Sequence, residues 1–271
     1  MFCPVTMPSN DSGVPDGDRT AAYPHDRPSR LSSNRPVARL TRHGLLVAAG
    51  LLVLAYAGLT AIWSGLGLLV TGPLADTFVG AGDQDLAVWL VQRRTPVGDE
   101  LSALGSLLAE TGVKVIATAV IAVVVFVVWR SWRDPFLICF SLILEASVFI
   151  TVTAVVGRPR PGVPAMDEVS VATSFPSGHA AAAAAYCAIA IVIFEHTRNL
   201  WIRGTTVTLA IAIPLIVGMA RMYRGVHHLT DVITGIALGV ACAVIVELII
   251  RRSFERGTGS PTALRPDQRP P

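Results

Sequence analysis

The residues whose types and spacing suit chemistry fall in three short strings. They are Gly157-Arg158-Pro159-Arg160-Pro161, Pro176-Ser177-Gly178-His179, and Arg221-Met222-Tyr223-Arg224-Gly225-Val226-His227-His228-Leu229-Thr230-Asp231. Each sits at the edge of a long apolar stretch. Together they supply arginines, two separated histidines and a carboxylate. Phosphate-ester chemistry needs that set: cations for the phosphate, a nucleophile and a proton donor.

In the third string His227 and Asp231 are four residues apart, so a helix starting there would put them on one face. A carboxylate holding one imidazole nitrogen raises the basicity of the other and makes the ring a nucleophile toward phosphorus. Arg221, six residues earlier, folds back toward that histidine. The adjacent His228 is expected to face elsewhere, toward solvent or the interface. Arg224 is left between substrate and lipid headgroups. In the second string Ser177 reads as an N-cap and Gly178 permits close backbone approach. The N–H groups of such a helix start attract phosphate. His179 is then either a proton donor to a leaving oxygen or an ordinary first-turn residue. In the first string the prolines hold Arg158 and Arg160 extended. Alternate side chains point to opposite sides, so one arginine enters a site and the other anchors the loop or meets headgroups.

The elements that must position these strings are apolar. Residues of the AVILMFWYC class make up 52% of the chain and charged residues only 15%, a balance that points away from a soluble domain. Six stretches approach the roughly 20 apolar residues a spanning helix needs: 44–71, 113–130, 135–156, 179–195, 204–220 and 229–250. The fourth is rich in alanine and weakest by hydropathy. The expected fold is all-α, a six-helix transmembrane bundle over 41–252. Residues 1–40 and 253–271 are expected to be disordered cytoplasmic tails, and no signal peptide precedes them. Residues 84–94 read as a short helix with Leu86, Trp89, Leu90 and Arg93 at helical spacing, an interfacial anchor.

Of the 22 basic residues Lys114 is the one lysine; the net charge of +3 says little about partners, and nothing points to nucleic acid. Arg35, Arg39 and Arg42, then Arg130 and Arg133, then Arg198 and Arg203, then Arg251, Arg252 and Arg256 flank alternate ends of the spans. By the positive-inside rule both termini are cytoplasmic. Arg158, Arg160, Arg221 and Arg224 fall on the other side, against that trend, and suggest an anionic ligand outside the cytoplasm. Cys3, Cys139, Cys187 and Cys242 have no zinc-ligand spacing and read as small hydrophobes. Glu145, mid-span, is expected to be hydrogen-bonded to a neighbouring helix, and Glu247 to meet Arg251 or headgroups.

These strings resemble the type 2 phosphatidic acid phosphatase superfamily, related to bacterial acid phosphatases and vanadium haloperoxidases. Its pattern is Lys-x6-Arg-Pro, Pro-Ser-Gly-His and Ser-Arg-x5-His-x3-Asp; the motif matches lie in 153–231. The resemblance implies a membrane phosphatase that needs no metal and no cofactor, acting on a lipid phosphate or pyrophosphate of the polyprenyl or phosphatidate type in the bilayer. It implies His227 as a nucleophile forming a phosphohistidine, Asp231 as its orienting partner and His179 as the acid. Arg160, Arg221, Ser177 and the Gly178 backbone would form the phosphate cradle. Two positions depart from the pattern: Thr153 stands where the family has lysine, and Ala220 where serine is usual. A charged donor to phosphate is worth about 1.5–3 kcal/mol, so Arg158 or Lys114 becomes a candidate replacement. Thr153 also leaves open a non-hydrolytic lipid-phosphate binder or transporter; a vanadate-dependent haloperoxidase is disfavoured, since those relatives are typically soluble.

Overall fold

A computed structural model describes residues 42–108, 110–167 and 173–255. The expected tails, Cys3, Arg35, Arg39 and Arg256 lie outside the described residues, although the last helix continues through Glu255. Nine helices are described: α1 (Arg42–Thr71), α2 (Phe78–Val91), α3 (Pro96–Leu107), α4 (Thr111–Trp129), α5 (Arg133–Val156), α6 (Gly178–Ala185), α7 (Cys187–His196), α8 (Leu200–Tyr223) and α9 (Leu229–Glu255). Six stretches are long and apolar enough to cross a membrane: α1, α4, α5, the α6–α7 pair, α8 and α9. The protein is an all-α, integral membrane bundle.

Helix starts follow local chemistry. Thr77, Thr95, Ser177 and Asn199 each accept a backbone N–H from the first turn they precede. Helix α5 stops where Gly157 adopts φ +61°, a left-handed turn that costs glycine little. The expected short helix appears as α2, starting earlier, at Phe78, and ending at Val91. Trp89 stays half-exposed beneath the Arg93 guanidinium, 4.1 Å from the ring centroid. Helix α3 had no expectation behind it.

Helices α5 and α9 form the middle of the bundle, with Leu137, Ile138, Val148 and Val152 meeting Leu238, Cys242, Ala243 and Val246. Helices α1, α4 and α8 keep rows of large apolar side chains exposed, as lipid-facing helices do. The alanine-rich α6 lies flush on α9. A Cβ at Gly235 would come within 2.5 Å of the Ser177 carbonyl oxygen, and one at Gly239 within 2.7 Å of the Ala185 nitrogen. Small residues on both helices thus bring the two backbones together. That contact seats the start of α6 beside the start of α9.

Candidate active site

The turns at one end of the bundle enclose a cavity of about 710 Å³. Its lining includes His179, His227, Arg160, Arg221, Arg224, Gly178, Asp167 and Lys114. The two histidines, 48 residues apart in sequence, therefore open on one space.

Several long-range hydrogen bonds assemble this end. Asp231 O accepts from the Ser177 backbone N–H at 2.9 Å, tying the start of α6 to the start of α9. Pro159 and Thr173 form an isolated antiparallel bridge, and Ser174 N donates to Arg158 O at 2.8 Å. The His227 ring then receives its partner from that loop: Nδ1 lies 2.8 Å from Ser174 O. A carbonyl oxygen only accepts, so Nδ1 carries the proton and Nε2 keeps its lone pair. Burial pulls the His227 pKa down and Asp231 opposes this; the net shift is downward, favouring the neutral ring.

Asp231 is fully buried, and its contacts differ from the simple expectation. Helix α9 begins at Leu229, so His227 precedes it and shares no helical face with Asp231. The Asp231 Oδ2 to His227 Nδ1 separation is 3.7 Å, longer than a hydrogen bond. Oδ2 instead accepts from His228 N at 2.8 Å and lies 3.2 Å from His228 Nδ1. This is the reach-back of an N3 carboxylate to an N-cap N–H. His228 is thereby buried, contrary to the expected solvent-facing ring.

The two arginines of the first string do point to opposite sides. Arg160 lines the cavity and donates to Val226 O at 2.5 Å. Burial lowers its pKa; Asp231 and Asp167 act against this. Arg158 turns away from the cavity. It is buried and donates to Asp231 Oδ1 at 2.5 Å, Thr230 Oγ1 at 2.6 Å and Asp83 Oδ2 at 2.9 Å. Its charge is thus spent on two buried carboxylates, which removes it as a stand-in for the family lysine. Thr153 does not reach the cavity either, because its hydroxyl is buried and donates to Phe175 O at 3.3 Å. Ser177 is likewise committed: its hydroxyl is buried as the cap of α6, accepting from Ala180 N at 3.5 Å, while Gly178 lines the cavity. Lys114 lines the cavity from the first turn of α4.

Asp167 was not anticipated. It sits in the cavity between Arg221 Nη1, at 2.6 Å, and Arg224 Nε, at 2.7 Å. Arg221 also donates to Ser106 Oγ at 2.6 Å. Burial raises the Asp167 pKa, but the hydrogen bond from Arg224 and the charges of both arginines outweigh it, and the net shift is downward. The pair thus grips one carboxylate through both oxygens, the kind of fork that also holds phosphate. No sequence signal points to Asp167, Ser106 or Asp83, since each acts through a partner at least 54 residues away. Glu145 also departs from expectation: it lines the cavity, and its Oε2 has no hydrogen-bond partner among the described residues.

Residues 134–255 match the family model of the PAP2 superfamily. Phosphatidylglycerophosphatase B of Bacillus subtilis (strain 168) is 40% identical over 76 residues, which is 27% of this chain. The match spans 37% of that relative's length. The crystal structure of a transmembrane PAP2-type phosphatidylglycerolphosphate phosphatase from Bacillus subtilis is similar at a TM-score of 0.63 and 25% identity, covering 70% of this chain and 96% of that one. The crystal structure of Aquifex aeolicus LpxE has a TM-score of 0.48 at 23% identity, covering 61% of this chain and 94% of that one.

Proposed function

We propose that the chain, whose residues 134–255 match the PAP2 superfamily model, is a membrane phosphatase hydrolysing a lipid phosphate or diphosphate through a phosphohistidine. The observation that carries this reading is the shared cavity of His179, His227, Arg160 and Arg221. Neutral His227, with Nδ1–H on Ser174 O, attacks phosphorus in line through Nε2. The N–P bond forms as the P–O bond to the lipid breaks, and His179 protonates the departing oxygen. Water, deprotonated by His179, then cleaves the phosphohistidine to free phosphate. Arg160, Arg221 and the start of α6 at Gly178 hold the charge on the phosphoryl oxygens throughout. Asp231 acts at one remove, through its 3.7 Å approach to His227 Nδ1 and the cap that seats the turn. Incoming phosphate takes over the donors that Asp167 now occupies.

Orientation follows from charge. The ends of the bundle that hold Arg42, Arg130, Arg133, Arg198, Arg203, Arg251 and Arg252 lie opposite the cavity across six spans. The positive-inside rule supports both termini in the cytoplasm and a cavity facing the extracytoplasmic side.

The test is phosphate release in detergent, with EDTA present, from phosphatidate, phosphatidylglycerophosphate and a polyprenyl diphosphate. Wild type is expected to turn over at least one, and His227→Ala none. Binding of all three without release from wild type would return the non-hydrolytic reading.

A further inference from the structure

Beyond the histidines the cavity continues along α5, past Ile150 and Phe149 to Ala146 and Glu145. Glu145 lies eight residues before Thr153, about 12 Å down a helix rising 1.5 Å per residue. It is 1% exposed, lines the cavity, and leaves Oε2 without a hydrogen-bond partner among the described residues. Lys114, the chain's one lysine, enters the same space from α4. Among the described residues no ion pair includes either of them. A cation and an acid thus border one cavity without closing on each other. Ala146, Phe149 and Ile150 give the α5 side of the cavity its apolar lining, while Glu110 and Thr111 border it near Lys114.

We propose that Lys114 and Glu145 form a headgroup subsite that selects lipid phosphates whose leaving group carries free hydroxyls. The proposal rests on the phosphatase reading above and narrows its substrate. With phosphate at the arginines, the leaving group extends down α5, and its first polar atoms meet this pair. A hydroxyl both accepts and donates. It accepts from the Lys114 ammonium and donates to the Glu145 carboxylate, completing both. The ester carbonyls next to the phosphate of phosphatidate only accept, and a prenyl chain does neither. The subsite therefore separates a polyol headgroup from the other two lipid classes. It acts on specificity and takes no part in bond making.

The experiment compares kcat/KM for phosphatidylglycerophosphate, phosphatidate and a polyprenyl diphosphate in wild type, Glu145→Leu, Glu145→Gln and Lys114→Met. Leucine suits the apolar surroundings and removes the polar contact, while glutamine keeps an acceptor oxygen. For phosphatidylglycerophosphate, kcat/KM is expected to fall about tenfold in Glu145→Leu and Lys114→Met, the loss of one hydrogen bond to a charged group. Glu145→Gln recovers part of it, and the two Glu145 variants leave the other two lipids little changed. An equal loss on all three lipids, or none on any, overturns the proposal. A second readout is independent of turnover: binding of phosphatidylglycerol against diacylglycerol to the His227→Ala protein. Preference for phosphatidylglycerol that disappears when Glu145→Leu is added supports the subsite; equal binding of the two lipids overturns it. Wild type that releases phosphate from none of the three lipids defeats the phosphatase reading, and the binding comparison still judges the subsite.

Discussion

The two ends of the bundle each gather charged residues, and they use them in opposite ways. At the end away from the cavity, Arg133 bonds Glu195 and Glu247, and Arg251 bonds the same two acids. Asp134 takes His196 Nε2 at 2.8 Å, with the imidazole stacked on Trp129. The outer members of this cluster reach solvent, with the Arg251 side chain 52% exposed, Glu195 27% and Arg133 19%, while Glu247 and Asp134 are buried beneath them. At the cavity end Arg158, Asp83 and Asp231 are 8%, 2% and 0% exposed. Their charges lie behind the site, while Arg160, Arg221 and Arg224 line it. Charge that is paired in contact with solvent ties helices together cheaply. Charge that is buried must be closed by partners, and where it borders a cavity an incoming anion can compete for those partners' places.

Breaking the buried set should have the largest effect. Arg158→Met leaves Asp83 and Asp231 without their shared cation, and a buried pair broken from one side costs about 3–5 kcal/mol. Chemical unfolding in detergent should show it, and adding Asp83→Asn should recover part. If stability stayed within error of wild type, the contrast between the two ends would fall. The second effect concerns pH. In the proposed mechanism His227 reacts as the neutral ring, and burial depresses its proton affinity. The neutral form therefore persists to lower pH than for an ordinary histidine of pKa about 6.5. The acid limb of kcat/KM, about tenfold per pH unit, should begin below that value; a limb starting above it would contradict the burial argument. The smallest effect belongs to the wet end. Arg251→Ala should change stability by no more than about 1 kcal/mol, and less in high salt. It should leave kcat/KM unaltered.

The six spans were legible because hydropathy is a property of consecutive residues. Even the weak fourth one was placed within a residue of its ends, Gly178 and His196. Its stability is another matter. Alanines of α6 contribute through close contact with Gly235 and Gly239 of α9, and that glycine spacing was not read as a packing signal. The motifs were legible for the same local reason: the Arg-Pro-Arg alternation places the two arginines on opposite sides, and the structure puts Arg160 on the cavity and buries Arg158. Where Arg158 ends was not readable, because Asp83 reaches it from α2, 75 residues away. His228 was misjudged because the helix start was placed too early. With α9 beginning at Leu229, Asp231 caps the His228 N–H and draws that ring inward.

The sequence by itself determined which segments enter the bilayer, the order of the spans, and which short strings carry arginine, histidine and aspartate. These follow from patterns within a few turns of chain. Only the tertiary structure decided who meets whom: Ser174 as the hydrogen-bond partner of His227, Asp167 between Arg221 and Arg224, Lys114 and Glu145 on one cavity. Those meetings depend on which helices are neighbours and how deep each residue lies along its own. Helix packing sets both, through contacts between residues far apart in the chain.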